Sequence, residues 1–205
     1  GGSGADETPD EGGKTADLYN SADGLMYSAG SSSFSRLYHS TAVLLPDATV
    51  ASMGSNPGTR GKYLGRIEIY TPPYLYDAND RLITADRPAI TSVTPAVVSY
   101  GETLTVNYTA TSAISSAVLM RPGSTTHAFD MDQRMVGLCG PSPQPSCTGS
   151  GTLTLAIPSN GNVAPPGYYM LFILDAAGVP SRAAWVELAT VTAAPPDGVI
   201  SAPAT

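Results

Sequence analysis

Apolar and polar positions alternate with a period of two along much of the chain, and clusters of turn residues interrupt the alternation. In TLTVNYT, Leu104, Val106 and Tyr108 share one face, and in TLTLAIP, Leu153, Leu155 and Ile157 do the same. Each pattern predicts a half-buried strand with one apolar face. Residues 118–120, 133–138 and 184–188 add further short strands. The sole tryptophan, Trp185, is expected in the core of the last one. Residues 168–174 (YYMLFIL) are apolar on both faces, which predicts a central strand. No long 3.6-residue periodicity appears. Six or seven short strands within about 100 residues predict an immunoglobulin-like sandwich.

The first half is sparser. Residues 40–45 are apolar, Pro46-Asp47-Ala48-Thr49 forms a turn, and residues 50–53 return, which predicts a hairpin. Ile67 and Ile69 share a face in RIEIYT, and the two prolines of YTPPYLY then take the chain out of the sheet. Residues 15–75 hold too few strands to close a fold alone and read as one propeller blade plus a connector. A lone blade exposes sheet edges that something must cover. The expected organisation is therefore an acidic, Gly-rich linker over 1–14, a last blade and connector over 15–86, a sandwich over 87–189, and a Pro-rich tail over 190–205. The linker reads as a tether to something upstream.

Composition narrows the partners. Of 205 residues only 13% are charged, the net charge is −7 and the pI is about 4.6. That argues against non-specific nucleic-acid binding and against docking on anionic lipid. The longest apolar run is strand-sized, well short of the roughly 18 residues of a spanning helix. Neither nucleic acid nor membrane insertion is expected.

Cys139 and Cys147 flank a Gly/Pro/Ser-rich insert, CGPSPQPSC. A disulfide closing this short loop suits a secreted protein, and two separate thiols are the alternative. Asn107-Tyr108-Thr109 fits the glycosylation acceptor pattern, a triplet that also arises by chance. Two histidines, His39 and His127, fall in different predicted domains, beside loops or turns. Imidazole is a preferred ligand of copper and zinc, but one histidine on a strand is usually structural. A zinc site is poorly served, because there is no second cysteine pair. Ser40 beside His39 is no triad, and no G-x-S-x-G elbow is present, so hydrolysis is weakly supported.

Their contexts carry more. Six separated motifs occur in order: Tyr38-His39-Ser40, Leu44-Leu45-Pro46-Asp47, Gly54-Ser55-Asn56-Pro57, Pro72-Pro73-Tyr74-Leu75, Thr126-His127 and Asp132-Gln133-Arg134. Pro165-Pro166-Gly167-Tyr168-Tyr169-Met170 and Val179-Pro180-Ser181 follow. Over residues 14–189 the chain resembles the copper-radical oxidases, galactose oxidase and more closely glyoxal oxidase. The resemblance implies an all-β fold: the final blade of a kelch-like seven-bladed propeller, then an immunoglobulin-like (E-set) β-sandwich. It implies one mononuclear copper held by His39, His127 and an axial Tyr38, with Tyr38 also acting as base toward the substrate alcohol. Two neutral imidazoles and phenolate oxygen suit Cu(II) in a tetragonal field. It further implies a tyrosyl radical from a residue outside this chain, and oxidation of primary alcohols or small aldehydes with O2 reduced to H2O2. Tyr63, Tyr70, Tyr74 and Tyr76 read as sheet aromatics, and Ala48 stands where the family's turn has glycine.

Two functions follow as expectations. In one, the chain is the C-terminal portion of an extracellular copper-radical oxidase, incomplete without upstream propeller blades from the same or a separate polypeptide. Its substrate would be a small alcohol, an aldehyde or a carbohydrate. In the other, it is a non-catalytic, cell-surface structural or carbohydrate-associated module on the same fold.

Overall fold

A computed structural model describes residues 13–56, 64–126 and 129–190. Most of the expected linker and tail, together with Tyr63, His127 and Pro57 of the Gly-Ser-Asn-Pro motif, lie outside the described residues. Among the described residues the only helical element is a single 3-10 turn, Pro73–Leu75, and no helix is long and apolar enough to cross a membrane.

Fifteen strands follow in chain order: β1 (Thr15–Asn20), β2 (Leu25–Ser31), β3 (Ser40–Leu44), β4 (Val50–Gly54), β5 (Ile67–Tyr70), β6 (Ala89–Thr94), β7 (Val97–Ser99), β8 (Thr103–Thr109), β9 (Ile114–Arg121), β10 (Thr125–Thr126), β11 (Phe129–Asp130), β12 (Arg134–Cys139), β13 (Thr152–Ala156), β14 (Gly167–Asp175) and β15 (Ala184–Ala189). The sandwich packs a three-stranded sheet, β13-β8-β6, against a five-stranded sheet, β12-β9-β14-β15-β7. All its pairings are antiparallel except β15 with β7. The alternation read from sequence is what builds the core. Leu104, Val106 and Tyr108 of β8 and Leu153 and Leu155 of β13 meet Ala117, Leu119, Tyr169, Leu171, Ile173, Val186 and Leu188 of the facing sheet.

β14 is central, between β9 and β15, as its apolar run predicts. Its odd positions fill the sandwich core, while Met170 and Phe172 point the other way and are just as buried. They cluster with Ala48 of the β3–β4 turn, flanked by Leu44, Val118 and Met120. The turn is held to the sandwich by polar contacts as well. Arg87 Nε donates to the Pro180 carbonyl, and its Nη2 donates to the carbonyls of Asp47 and Ser181, each at 2.9 Å. The Ala183 amide donates to the Pro46 carbonyl at 2.7 Å. Tyr74, on the Pro73–Leu75 turn, donates to the Ala48 carbonyl at 2.8 Å. Burial pushes the Tyr74 phenol up to about 12, so it stays a proton donor at neutral pH.

Ala48 sits at φ 68°, the left-handed conformation that favours glycine. Its methyl is the atom that packs on Met170 and Phe172. The strain of roughly 1 kcal/mol and the gain from one buried methyl nearly offset each other.

Two expectations change. Trp185 is 49% exposed, not core. Val186 and Leu188 take the inward positions of β15, which leaves Trp185 on the outer face opposite Met170. In the first half, β3-β4-β5 form a three-stranded antiparallel sheet and β1-β2 a separate ribbon, so among the described residues no propeller blade is visible. Ile67 and Ile69 do share a face, and it is exposed. The disulfide is present between Cys139 and Cys147.

Phe172→Ala is expected to cost about 3–5 kcal/mol in urea unfolding, because it empties the second face of β14. Trp185→Ala is expected to cost under about 2 kcal/mol. Equal losses would contradict this assignment of faces.

Candidate functional site

The segment leading into β3 is fixed from below by a buried arginine. Arg36 Nη1 donates to the carbonyls of Gly54 (3.0 Å) and Arg66 (3.1 Å), and Nη2 meets Glu68 Oε2 at 2.5 Å. Burial works against the charge on Glu68, but the Ser33 amide and the Arg36 guanidinium outweigh it and hold the carboxyl below its ordinary range. One residue on, Leu37 is buried and its amide donates to Ser55 Oγ at 3.0 Å. The Asn56 amide donates to the Tyr38 carbonyl at 2.9 Å. The loop 36–39 is thus anchored to the end of β4 along its length.

That anchoring explains Gly54-Ser55-Asn56. Gly54 has φ 75°, and a Cβ there would lie 2.4 Å from the His39 carbonyl oxygen. Only glycine lets the end of β4 approach the histidine backbone so closely. Opposite it, His39 adopts φ 62°. A left-handed residue at this point turns the chain sharply into β3, and both side chains end at the surface. Tyr38 is 53% exposed, His39 is exposed, and their rings stack at 3.9 Å between centroids with 27° between planes. A phenol and an imidazole are therefore presented side by side on a rigid support.

The second predicted contributor comes from the sandwich. Thr125 and Thr126 of β10 pair with Asp130 and Phe129 of β11. β10 also lies beside β3, with Cα atoms within 8 Å. The strand that immediately precedes His127 is therefore packed against the strand that immediately follows His39. His127 itself lies outside the described residues. Tyr38 and His39 are brought together, and among the described residues no group of three or more His, Cys, Asp or Glu could hold a metal ion. The donor types that are placed, one phenol and one imidazole, fit a copper centre that takes further ligands from elsewhere.

Asp130 was invisible as a contributor from sequence. Its Oδ1 accepts the amides of Ser124 (3.0 Å), Gln133 (3.0 Å) and Asp132 (3.3 Å), and its Oδ2 accepts the Thr125 hydroxyl (3.3 Å). One carboxylate thus ties together both ends of the segment that contains His127. The Ser124 amide is the largest of the influences that hold the Asp130 carboxyl below its ordinary value. The available signal was an aspartate followed by free amides two and three residues on. Arg121 adds an ion pair to Asp132 at 3.3 Å. Tyr70 lies near both Tyr74 and Tyr76, and burial raises the Tyr70 phenol.

Comparison with known proteins agrees with this layout. Residues 87–188 match the family described as galactose oxidase-like, Early set domain. A galactose oxidase of Gibberella zeae is 35% identical over 177 residues, covering 85% of this chain and 24% of that protein. The aldehyde oxidase GLOX of Vitis pseudoreticulata is 35% identical over 162 residues, covering 75% of this chain and 30% of that protein. A solved fungal alcohol oxidase of the AA5 family, in complex with copper, superposes with a TM-score of 0.72 at 31% identity, over 85% of this chain and 35% of that one. The chain spans about a quarter to a third of the length of these relatives.

Because the Asp130 carboxyl is depressed in the folded state, its contribution is present above the ordinary aspartate value and is lost as pH falls through the folded one. The amide proton shifts of Ser124 and Gln133 are expected to titrate together, with a midpoint below about 3.9, and not at all in Asp130→Asn. A midpoint at or above that value would remove Asp130 as the organiser of the loop.

Proposed function

This chain belongs to the galactose oxidase-like family, with that family's early set domain over residues 87–188, and from that premise we propose that it is the C-terminal portion of an extracellular copper-radical oxidase. The complete enzyme would oxidise primary alcohols or small aldehydes and reduce O2 to H2O2, with propeller blades supplied upstream. The single observation that carries this reading is the packing of β10 against β3. It sets the strand that leads into His127 beside the strand that follows the Tyr38-His39 pair.

In this reading Tyr38, His39 and His127 hold the copper, which when bound accepts electrons from the substrate. The rest of the chemistry belongs to the chain. Arg36, Ser55 and Gly54 keep the Tyr38 and His39 donors from moving as the substrate enters. Tyr38, half exposed, would take the hydroxyl proton of the substrate as the phenolate that coordination to a dication supplies. Asp130 ties Ser124 and Thr125, before His127, to Asp132 and Gln133, after it. An extracellular setting accords with the Cys139–Cys147 disulfide. The radical tyrosine is expected outside this chain.

In the full-length protein, Tyr38→Phe is expected to lower kcat by about 10²–10⁴ while copper remains bound. The separate 205-residue chain is expected to show no turnover. Undiminished kcat in Tyr38→Phe, or turnover by the separate chain, would overturn the assignment, whereas a full-length protein that retains no copper and shows no turnover would favour the non-catalytic module.

A further inference from the structure

We propose that Asn107 is a site of N-linked glycosylation, carried on the outward face of the three-stranded sheet. The inference rests on the extracellular reading above, since the modification takes place in the secretory lumen.

Asn107-Tyr108-Thr109 is the one Asn-X-Ser/Thr triplet in the sequence. Its position in the middle of a strand argues against it only if the asparagine faces inward. It does not. Along β8, Leu104, Val106 and Tyr108 are buried and Thr103, Asn107 and Thr109 are exposed. Asn107 is flanked by Ser92 of β6 and Thr152 of β13, and the next row pairs Thr94, Thr105 and Thr154. This face is a grid of short hydroxyl side chains. Among the described residues, none of the exposed large apolar side chains lies on β6, β8 or β13. The outer face of the opposite sheet differs entirely, because Met170 and Phe172 there are covered by the β3–β4 turn. A glycan at Asn107 would project into solvent on the side away from that contact and away from Tyr38 and His39.

The local hydrogen bonds tolerate the modification. Asn107 Nδ2 donates to Ser92 Oγ at 2.9 Å, and Oδ1 accepts from Thr152 Oγ1 at 2.8 Å. In the transfer, the C1–O bond between the oligosaccharide and its polyprenyl-diphosphate carrier breaks and a C1–Nδ2 bond forms. One Nδ2 proton is lost and the carrier leaves as the diphosphate. The linked nitrogen keeps one hydrogen, so donation to Ser92 and acceptance from Thr152 can both persist. Transfer to the unfolded strand is thus compatible with the fold that follows.

The test is secretion of the chain from yeast behind a host signal sequence, then peptide mapping by tandem mass spectrometry before and after peptide N-glycosidase. The expected result is a glycan on Asn107, with conversion to aspartate on enzymatic release. The glycan is expected to be lost in Thr109→Ala and kept in Thr109→Ser, a pair that leaves Asn107 and its hydrogen bonds in place. Secreted, disulfide-linked chain with Asn107 unmodified would overturn the proposal. The host signal delivers the chain to the lumen in any case, so that result counts against the site alone. Absence of the native protein from culture fluid would instead count against the extracellular reading.

Discussion

The structure depends on one strand being buried on both faces. β14 contributes Tyr169, Leu171 and Ile173 to the sandwich core and Met170 and Phe172 to a second cluster, which closes only when the β3–β4 turn covers it. Burying a side chain the size of Phe172 is worth about 1.5–3 kcal/mol in transfer terms. Arg87 supplies direction to this otherwise unspecific contact. Its planar fork reads three carbonyls, one from the turn and two from the loop after β14. Carbonyls that leave a sheet at a turn need partners, and a guanidinium meets several at once.

From that contact the site follows by geometry. β3 runs from the docked turn back to Ser40, so docking the turn fixes where His39 stands. The Arg36–Glu68 pair and the close approach of Gly54 then set the direction in which Tyr38 and His39 leave the chain. From the other side, β9 rises from beneath the same cluster and leads to β10, which meets β3. The two segments proposed to bear ligands follow or precede strands of different sheets, and β9 and the β3–β4 turn share one apolar cluster. Rigid support of this kind matters for a metal centre, because ligands held by packing lose little freedom on binding.

Much of the sandwich was legible because alternation is a direct record of which face is buried. Leu104, Val106 and Tyr108 sit where their spacing put them, and the nine-residue disulfide loop closed as its composition suggested. Trp185 faces out despite its size, because parity along the strand decides the face. Val186 and Leu188 already claimed the inward positions, so their neighbour had to face out. The propeller blade expected from the first half is not visible among the described residues, because a blade has four paired strands and β1-β2 there form a ribbon separate from β3-β4-β5. At the site, Tyr38 and His39 were legible through a motif. Their supports were not, since Arg36 and Glu68 are 32 positions apart and Arg87 and Ser181 are 94 apart. Local pattern carries no information about pairs that only the tertiary fold creates.

The central claim is that this fold brings His39 and His127 to one copper. The most direct test is the number of imidazole nitrogens coupled to Cu(II) in the copper-loaded full-length protein, read by electron spin echo envelope modulation. The account predicts two coupled imidazoles, with one lost in His39→Ala and the other in His127→Ala while the sandwich stays folded. A modulation pattern that neither substitution changes would contradict it.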